Sequence, residues 1–141
     1  MHDMTDEERR DFLVGTAHTA KCAVVRKDGR PNVTPIWFVL DGDDVIFTTH
    51  TKSVKGHAIR RDGRVALCVD DDRPPFSYVA IEGVAEVSTD LEQMLAWATR
   101  IGGRYMGADR AEEYGRRNAV EGELLVRLRP TKVLARADIA G

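Results

Sequence analysis

Lys52, Lys55, Arg60, Arg61 and Arg64 place five cations within thirteen residues, and the stretch carrying them, Phe47 to Arg64, adds the hydroxyls of Thr48, Thr49, Thr51 and Ser53. Ser53 stands where an N-cap would stand, so a helix starting after it contributes free backbone N–H groups and a positive end. That combination seats a phosphate or several carboxylates without a glycine-rich loop. Taken alone, the stretch also fits a solvated basic helix joining two strands. The background favours the seat. The chain as a whole carries a net charge of −2, so the cations are a local feature of an otherwise acidic protein and suit a small polyanion. The same balance, with a pI near 6.1, argues against a nucleic-acid partner.

An aromatic stretch precedes the cations. In an extended Pro35-Ile-Trp-Phe38, Ile36 and Phe38 share one side and Trp37 takes the other. The strand end Phe47-Thr-Thr49 can meet it by hairpin pairing. Trp37 by itself also fits a core or interface residue. Together, the aromatic strand, the threonine edge and the basic helix fit a planar heterocycle with an anionic tail.

Other chemistries lack support. There is no G-x-G-x-x-G or Walker A sequence, and Gly102 to Gly107 follows a helix rather than a strand. The four histidines have no metal-ligand spacing, so no metal is expected; His50 and His57 flank the anion seat. A G-x-S-x-G elbow is absent as well. Cys22 and Cys68 sit in alternating apolar runs and read as reduced, buried thiols.

These residues need elements to hold them. Thr5-Asp-Glu-Glu8 is a capping box opening a helix through Val14. Ala20–Arg26 and Asn32–Leu40 read as two strands around the turn Lys27-Asp-Gly-Arg30, with Pro35 marking an edge, a bulge or a ligand-facing side. Val45–Thr49 follows, then the basic helix Ser53–Arg61 and a fourth strand, Arg64–Asp70. Phe76–Ser88 is a long strand with a bend or bulge at Gly83. Thr89-Asp-Leu-Glu92 reads as a second capping box, opening a helix whose Leu91, Met94, Leu95, Ala98, Ile101 and Tyr105 face the core. Gly102-Gly103 weakens its end. A polar helix through Asn118 comes next, then strands Glu123–Arg129 and Thr131–Arg136, interrupted by Pro130. Seven mostly antiparallel strands with segregated helices predict a mainly β chain with α insertions, in the α+β class, closed as a barrel.

The motifs in this order resemble the pyridoxamine-phosphate-oxidase-like split β-barrels: Asp28-Gly29-Arg30-Pro31, Pro35-Ile-Trp-Phe, Phe47-Thr-Thr, and Lys55 followed by Ile59-Arg-Arg-Asp-Gly-Arg-Val65. More narrowly they are similar to the actinobacterial flavin/deazaflavin oxidoreductases that use coenzyme F420. The resemblance implies an antiparallel split β-barrel and a homodimer with cofactor sites at the interface. It implies that Pro35, Ile36, Trp37, Phe38, Thr48 and Thr49 line the deazaflavin, while Lys52, Lys55 and Arg60 hold phosphate and oligoglutamate. Tyr78 belongs to a segment near the site that the partner subunit would supply. The implied function is hydride transfer from reduced F420 to a small unsaturated or quinone-like acceptor. The alternatives are an FMN- or FAD-binding oxidoreductase of the same fold, or a non-catalytic carrier of such a cofactor or of haem. No catalytic acid or base is singled out; Tyr78, Tyr105 or a water could supply a proton. Two positions depart from the family's pattern: Ala58 stands where Asn is frequent, and Asp62-Gly63-Arg64 replaces Asp-Pro-Arg.

Length sets the remaining bounds. At 141 residues, with 31% charged and 43% hydrophobic, one domain covering 1–141 with one core is expected. Met1 to Arg10 is polar and acidic, unlike a signal peptide, and the longest apolar runs are strand-sized. A cytoplasmic protein with no membrane partner is expected, so the sequon at Asn32-Val33-Thr34 carries no glycan.

Overall fold

A computed structural model describes residues 1–141. The elements run β1 (His2–Asp3), α1 (Asp6–Val14), β2 (Ala20–Val25), β3 (Pro31–Ile36), β4 (Val39–Asp41), β5 (Asp44–His50), α2 (Val54–Arg61), β6 (Arg64–Asp71), β7 (Ser77–Ser88), α3 (Leu91–Met106), a 3-10 turn (Ala108–Arg110), α4 (Ala111–Asn118) and β8 (Glu123–Ala137). Local signals explain several of them. The Thr5 hydroxyl accepts from the Glu8 N–H while the Glu8 carboxylate accepts from the Thr5 N–H, the reciprocal box expected for α1. Ser53 caps α2 by accepting from the Gly56 N–H at 2.9 Å. At α3 the cap is Asp90, which accepts from the Glu92 and Gln93 N–H groups. The box expected from Thr89 to Glu92 is therefore replaced by a shorter Asp cap one residue later.

The strands form one antiparallel sheet in the order β3-β2-β6-β7-β8-β5-β4, with β1 alongside β8. Its two edges, β3 and β4, are separated in the chain by Trp37 and Phe38 alone. Such a link spans no more than about 11 Å. The sheet must therefore curl until its edges meet, which makes it a barrel with a seam. The single strand expected over Asn32–Leu40 is corrected here, because the chain stops pairing with β2 at Ile36, turns a corner, and pairs with β5 from Val39.

A second correction concerns Pro130. The two strands expected on either side of it are one fifteen-residue strand, β8. Glu82 faces Lys132 while Gly83 faces Pro130, so Thr131 is an extra residue bulged out of the ladder. A bulge is where a strand tolerates a residue without an N–H donor. The irregularity expected at Gly83 is present, but the extra residue belongs to its partner.

Inward residues alternate along the strands: Ala20, Cys22 and Val24 on β2, Val65, Leu67 and Val69 on β6, and Leu124, Val126 and Leu128 on β8. α1 adds Leu13, and α2 adds Ala58 and Ile59. A second cluster lies outside the barrel, where Met94 and Ile101 of α3 cover Val39, Ile46 and Leu125. This explains why Leu124, Leu125 and Val126 are all buried: β8 is covered on both faces. Leu91 and Leu95, expected to face the core, are instead 48% and 42% exposed. Gly102 does not end α3. A Cβ there would lie 2.6 Å from the Tyr114 Cβ, so its bare backbone is what lets α4 pack close. No helix is long and apolar enough to cross a membrane.

Gly83→Ala tests the bulge. Its new methyl would press on the Arg129 carbonyl, and overpacking of this kind costs about 1–3 kcal/mol. Thermal unfolding followed by circular dichroism should show a clearly lowered midpoint. An unchanged midpoint would mean that the two strands separate freely there.

Candidate functional site

A cleft of about 270 Å³ opens at the barrel seam, lined by Pro35, Ile36, Trp37, Thr48, Lys55, Ile101 and Asn118. Five elements meet there: the end of β3 with its corner, β5, α2, α3 and α4. The wall is fixed by packing. Trp37 stacks on Tyr105 with ring centroids 5.1 Å apart and planes 4° from parallel, and Tyr114 flanks it at 5.9 Å and 56°. Such aromatic contacts each contribute about 0.5–1.5 kcal/mol beyond burial.

α2 reaches the cleft because its start is pinned to the end of β5. The Ser53 hydroxyl donates to the His50 carbonyl at 2.7 Å and lies 3.0 Å from the Thr49 hydroxyl. Gly56 packs on the same carbonyl, where any side chain would collide. This docking brings the Lys55 ammonium across to β3, where it donates to the Thr34 hydroxyl at 2.7 Å. Lys55 has no carboxylate partner.

The five cations divide into distinct roles. Arg60 donates to the carbonyls of Thr51 at 2.7 Å and Gly56 at 3.4 Å, and Arg61 to that of Val25 at 2.6 Å. Arg64 forms a two-point pair with Asp62 at 2.7 and 2.8 Å. Only Lys52 and Lys55 make no such contact with the protein's own carbonyls or carboxylates. At the Asp62-Gly63-Arg64 turn, Gly63 has a left-handed φ of 78°, which a proline could not adopt.

Of the residues singled out in the sequence, Pro35, Ile36, Trp37, Thr48 and Lys55 line the cleft together. The others lie elsewhere. Phe38 is fully buried in the barrel core, because strand alternation resumes at the corner and turns its ring inward. Thr49 is buried, with its hydroxyl against Ser53. Lys52 is exposed on the turn before α2, where its N–H donates to the His50 ring. Arg60 is held on the backbone of its own segment, and Tyr78 lies on β7 between Asp70 and Arg136. Ile101 and Asn118 complete the cleft and were not singled out as site residues. Ile101 looked like ordinary helical core, and nothing local to Asn118 distinguishes it from any polar residue ending a helix.

Beneath this wall lies Cys22, whose thiol burial pushes up to about 11 from its ordinary 9.0, against the opposing pull of the Lys55 charge. Between those values the unfolded thiol ionises first, so the unfolded state binds fewer protons and stability falls as pH rises from about 9 to 11. The contribution is about 3 kcal/mol at most. Denaturant unfolding at about pH 8 and about pH 10.5 should show a larger alkaline loss for the unaltered protein than for Cys22→Ala. Equal losses would assign the effect to other groups.

An antiparallel barrel joined at one seam, with helices inserted between its strands, is a split β-barrel of the α+β class. Residues 5–136 match the pyridoxamine 5'-phosphate oxidase family, and the chain belongs to it. A sequence search of curated proteins gives no match. Among solved structures, the conserved hypothetical protein Rv2991 of Mycobacterium tuberculosis is 26% identical with a TM-score of 0.82, over 94% of this chain and 84% of that one. An F420 reductase is 29% identical with a TM-score of 0.68, over 87% and 94%. HutZ, the haem storage protein of Vibrio cholerae, shares the fold at 16% identity and a TM-score of 0.74, over 96% and 98%.

Proposed function

We propose that this chain is an oxidoreductase that binds coenzyme F420 at the seam cleft and reduces a small unsaturated or quinone-like acceptor. The observation that carries the reading is the meeting, in one cleft, of the flat wall Pro35–Trp37, the Thr48 hydroxyl and a Lys55 without a carboxylate partner. The similarity to an F420 reductase over most of both chains supports it.

The donor set fits the cofactor. Trp37, Pro35 and Ile101 offer apolar surface to a planar ring, Thr48 and Asn118 offer polar contacts to its edge, and Lys55 offers charge to an anionic group. What F420 supplies when bound is hydride transfer, so the protein has only to hold, orient and shield. The cleft's 270 Å³ lies below the roughly 300–1,000 Å³ usual for ligand pockets. A ring with a long tail therefore extends past it, and a second copy of the chain closing over the open side would complete the site. The apolar outer face of β2, β6 and β7, where Val25 and Val84 are each 48% exposed, is a surface such a homodimer could cover.

One observation favours a second reading. Arg60, Arg61 and Arg64 already serve the protein's own carbonyls and Asp62, which leaves Lys52 and Lys55 for a ligand. Of the two, only Lys55 lines the cleft, a single cation that suits the one phosphate of FMN.

The visible spectrum of the purified protein, followed by titration with F420, FMN and FAD, separates the readings. F420 should bind tightest and turn over with enones or quinones. Tight FMN binding without F420 affinity would establish the second reading, and F420 binding without turnover on any acceptor would make the protein a carrier. Lys55→Ala should weaken F420 binding and flatten its salt dependence, because ionic contacts to the tail are screened by salt. The same affinity and salt slope in the variant would place the tail elsewhere.

A further inference from the structure

We propose that Tyr105 is a positioning residue that fixes the Trp37 wall of the cleft, its hydroxyl committed to the corner rather than to proton delivery. The functional part of this inference rests on the cleft being a cofactor site; the positioning part does not.

The corner between β3 and β4 has lost its strand partners. The Phe38 N–H donates to the Tyr105 hydroxyl at 3.2 Å, and that hydroxyl donates its own proton to the His18 carbonyl at 2.7 Å. Both functions of the phenol oxygen are thus occupied by backbone. The neighbouring residue completes the grip, since Arg104 donates to the Phe38 carbonyl at 2.8 Å. Both backbone groups of Phe38 are therefore held by consecutive residues of α3. The tyrosine ring does a second job by stacking almost parallel on Trp37. One residue thus sets the height of the corner through its oxygen and the plane of the indole through its ring.

Ile101, one helical turn earlier on α3, lines the cleft directly. The helix thereby delivers a wall residue and the support of a second wall residue from one face. Tyr105 itself does not line the cleft. Its proton points at the His18 carbonyl, and burial raises its pKa above the ordinary 10.0 despite the Phe38 N–H and the Arg104 charge. A proton donor needs an O–H facing the ligand and ready to leave; this one has neither property.

Tyr105→Phe keeps the ring and removes both hydrogen bonds. Trp37 and Trp97 are the two tryptophans, so a Trp97→Phe background leaves Trp37 as sole reporter. In the ligand-free protein, Tyr105→Phe should red-shift the Trp37 emission and lower its anisotropy. Affinity for F420 and for FMN should fall about three- to tenfold, the range expected for losing one or two such bonds. Where turnover is measurable, its pH profile should keep its shape. The cycle of Trp37→Phe and Tyr105→Phe should be non-additive in affinity, since each acts through the other. Unchanged Trp37 emission and anisotropy, or additive effects, would overturn the proposal. So would abolished turnover with intact binding and a lost limb of the pH profile, the signature of a proton donor. If Tyr105→Phe fails to fold in the Trp97→Phe background, the cycle in the unaltered background decides. Failure of the cofactor reading would leave the ligand-free fluorescence change intact, so the two failures are distinguishable.

Discussion

A barrel made from one sheet must join its two edges, and here the joint is two residues long. At Trp37 and Phe38 the chain leaves one ladder before it has entered the next. Buried backbone groups at such a point must find other partners or cost about 1–3 kcal/mol each. Arg104 and Tyr105 supply them. The Arg104 guanidinium also donates to the Leu13 carbonyl at 2.6 Å and the Thr16 carbonyl at 3.2 Å, and lies 4.7 Å from the Phe38 ring centre. A single side chain thus ties the corner, the end of α1 and α3 together. Its Nε stays buried without a partner, a cost offset by three charge-assisted hydrogen bonds of about 1.5–3 kcal/mol each.

The cleft follows from that joint. Closing the seam places the end of β3 beside β5, and α3 on the outside of the barrel brings α4 up to the same opening. Charge is then sorted by geometry. Arginines that could reach carbonyls or a carboxylate are used to hold α2 and its exit in place, and the lysines keep their charge for something else. An arginine fork satisfies several fixed acceptors at once, whereas a lysine is a mobile point charge. The five cations of the sequence are therefore a frame of arginines with two lysines held out from it.

Much of the frame was legible in the sequence, because its signals are local. The capping box at Thr5, the Ser53 cap and the Asp28-Gly29 hairpin each depend on residues within a turn of one another. The break at Trp37–Phe38 was not legible, since Asn32–Leu40 alternates well enough to read as one strand. Pro130 misled in the opposite direction, reading as an interruption where the ladder simply steps over Thr131. Of the residues lining the cleft, Pro35, Ile36, Trp37, Thr48 and Lys55 are ones that the sequence and its family resemblance single out. Asn118 was not, because its only distinction is where α4 ends.

The residues by themselves determined that there would be an antiparallel barrel with inserted helices, an aromatic stretch and a cation-rich helix capped by Ser53. These follow from period, capping and turn chemistry, which act over a few residues. Only the tertiary structure decided which of the cations remain available, which aromatic faces the opening and which is sealed in the core. It also decided that Tyr105, 67 positions along the chain from the Phe38 N–H it accepts, holds the wall. Those outcomes depend on closing the sheet upon itself, and the hydrogen bonds left over at the seam can be assigned only once its edges have met.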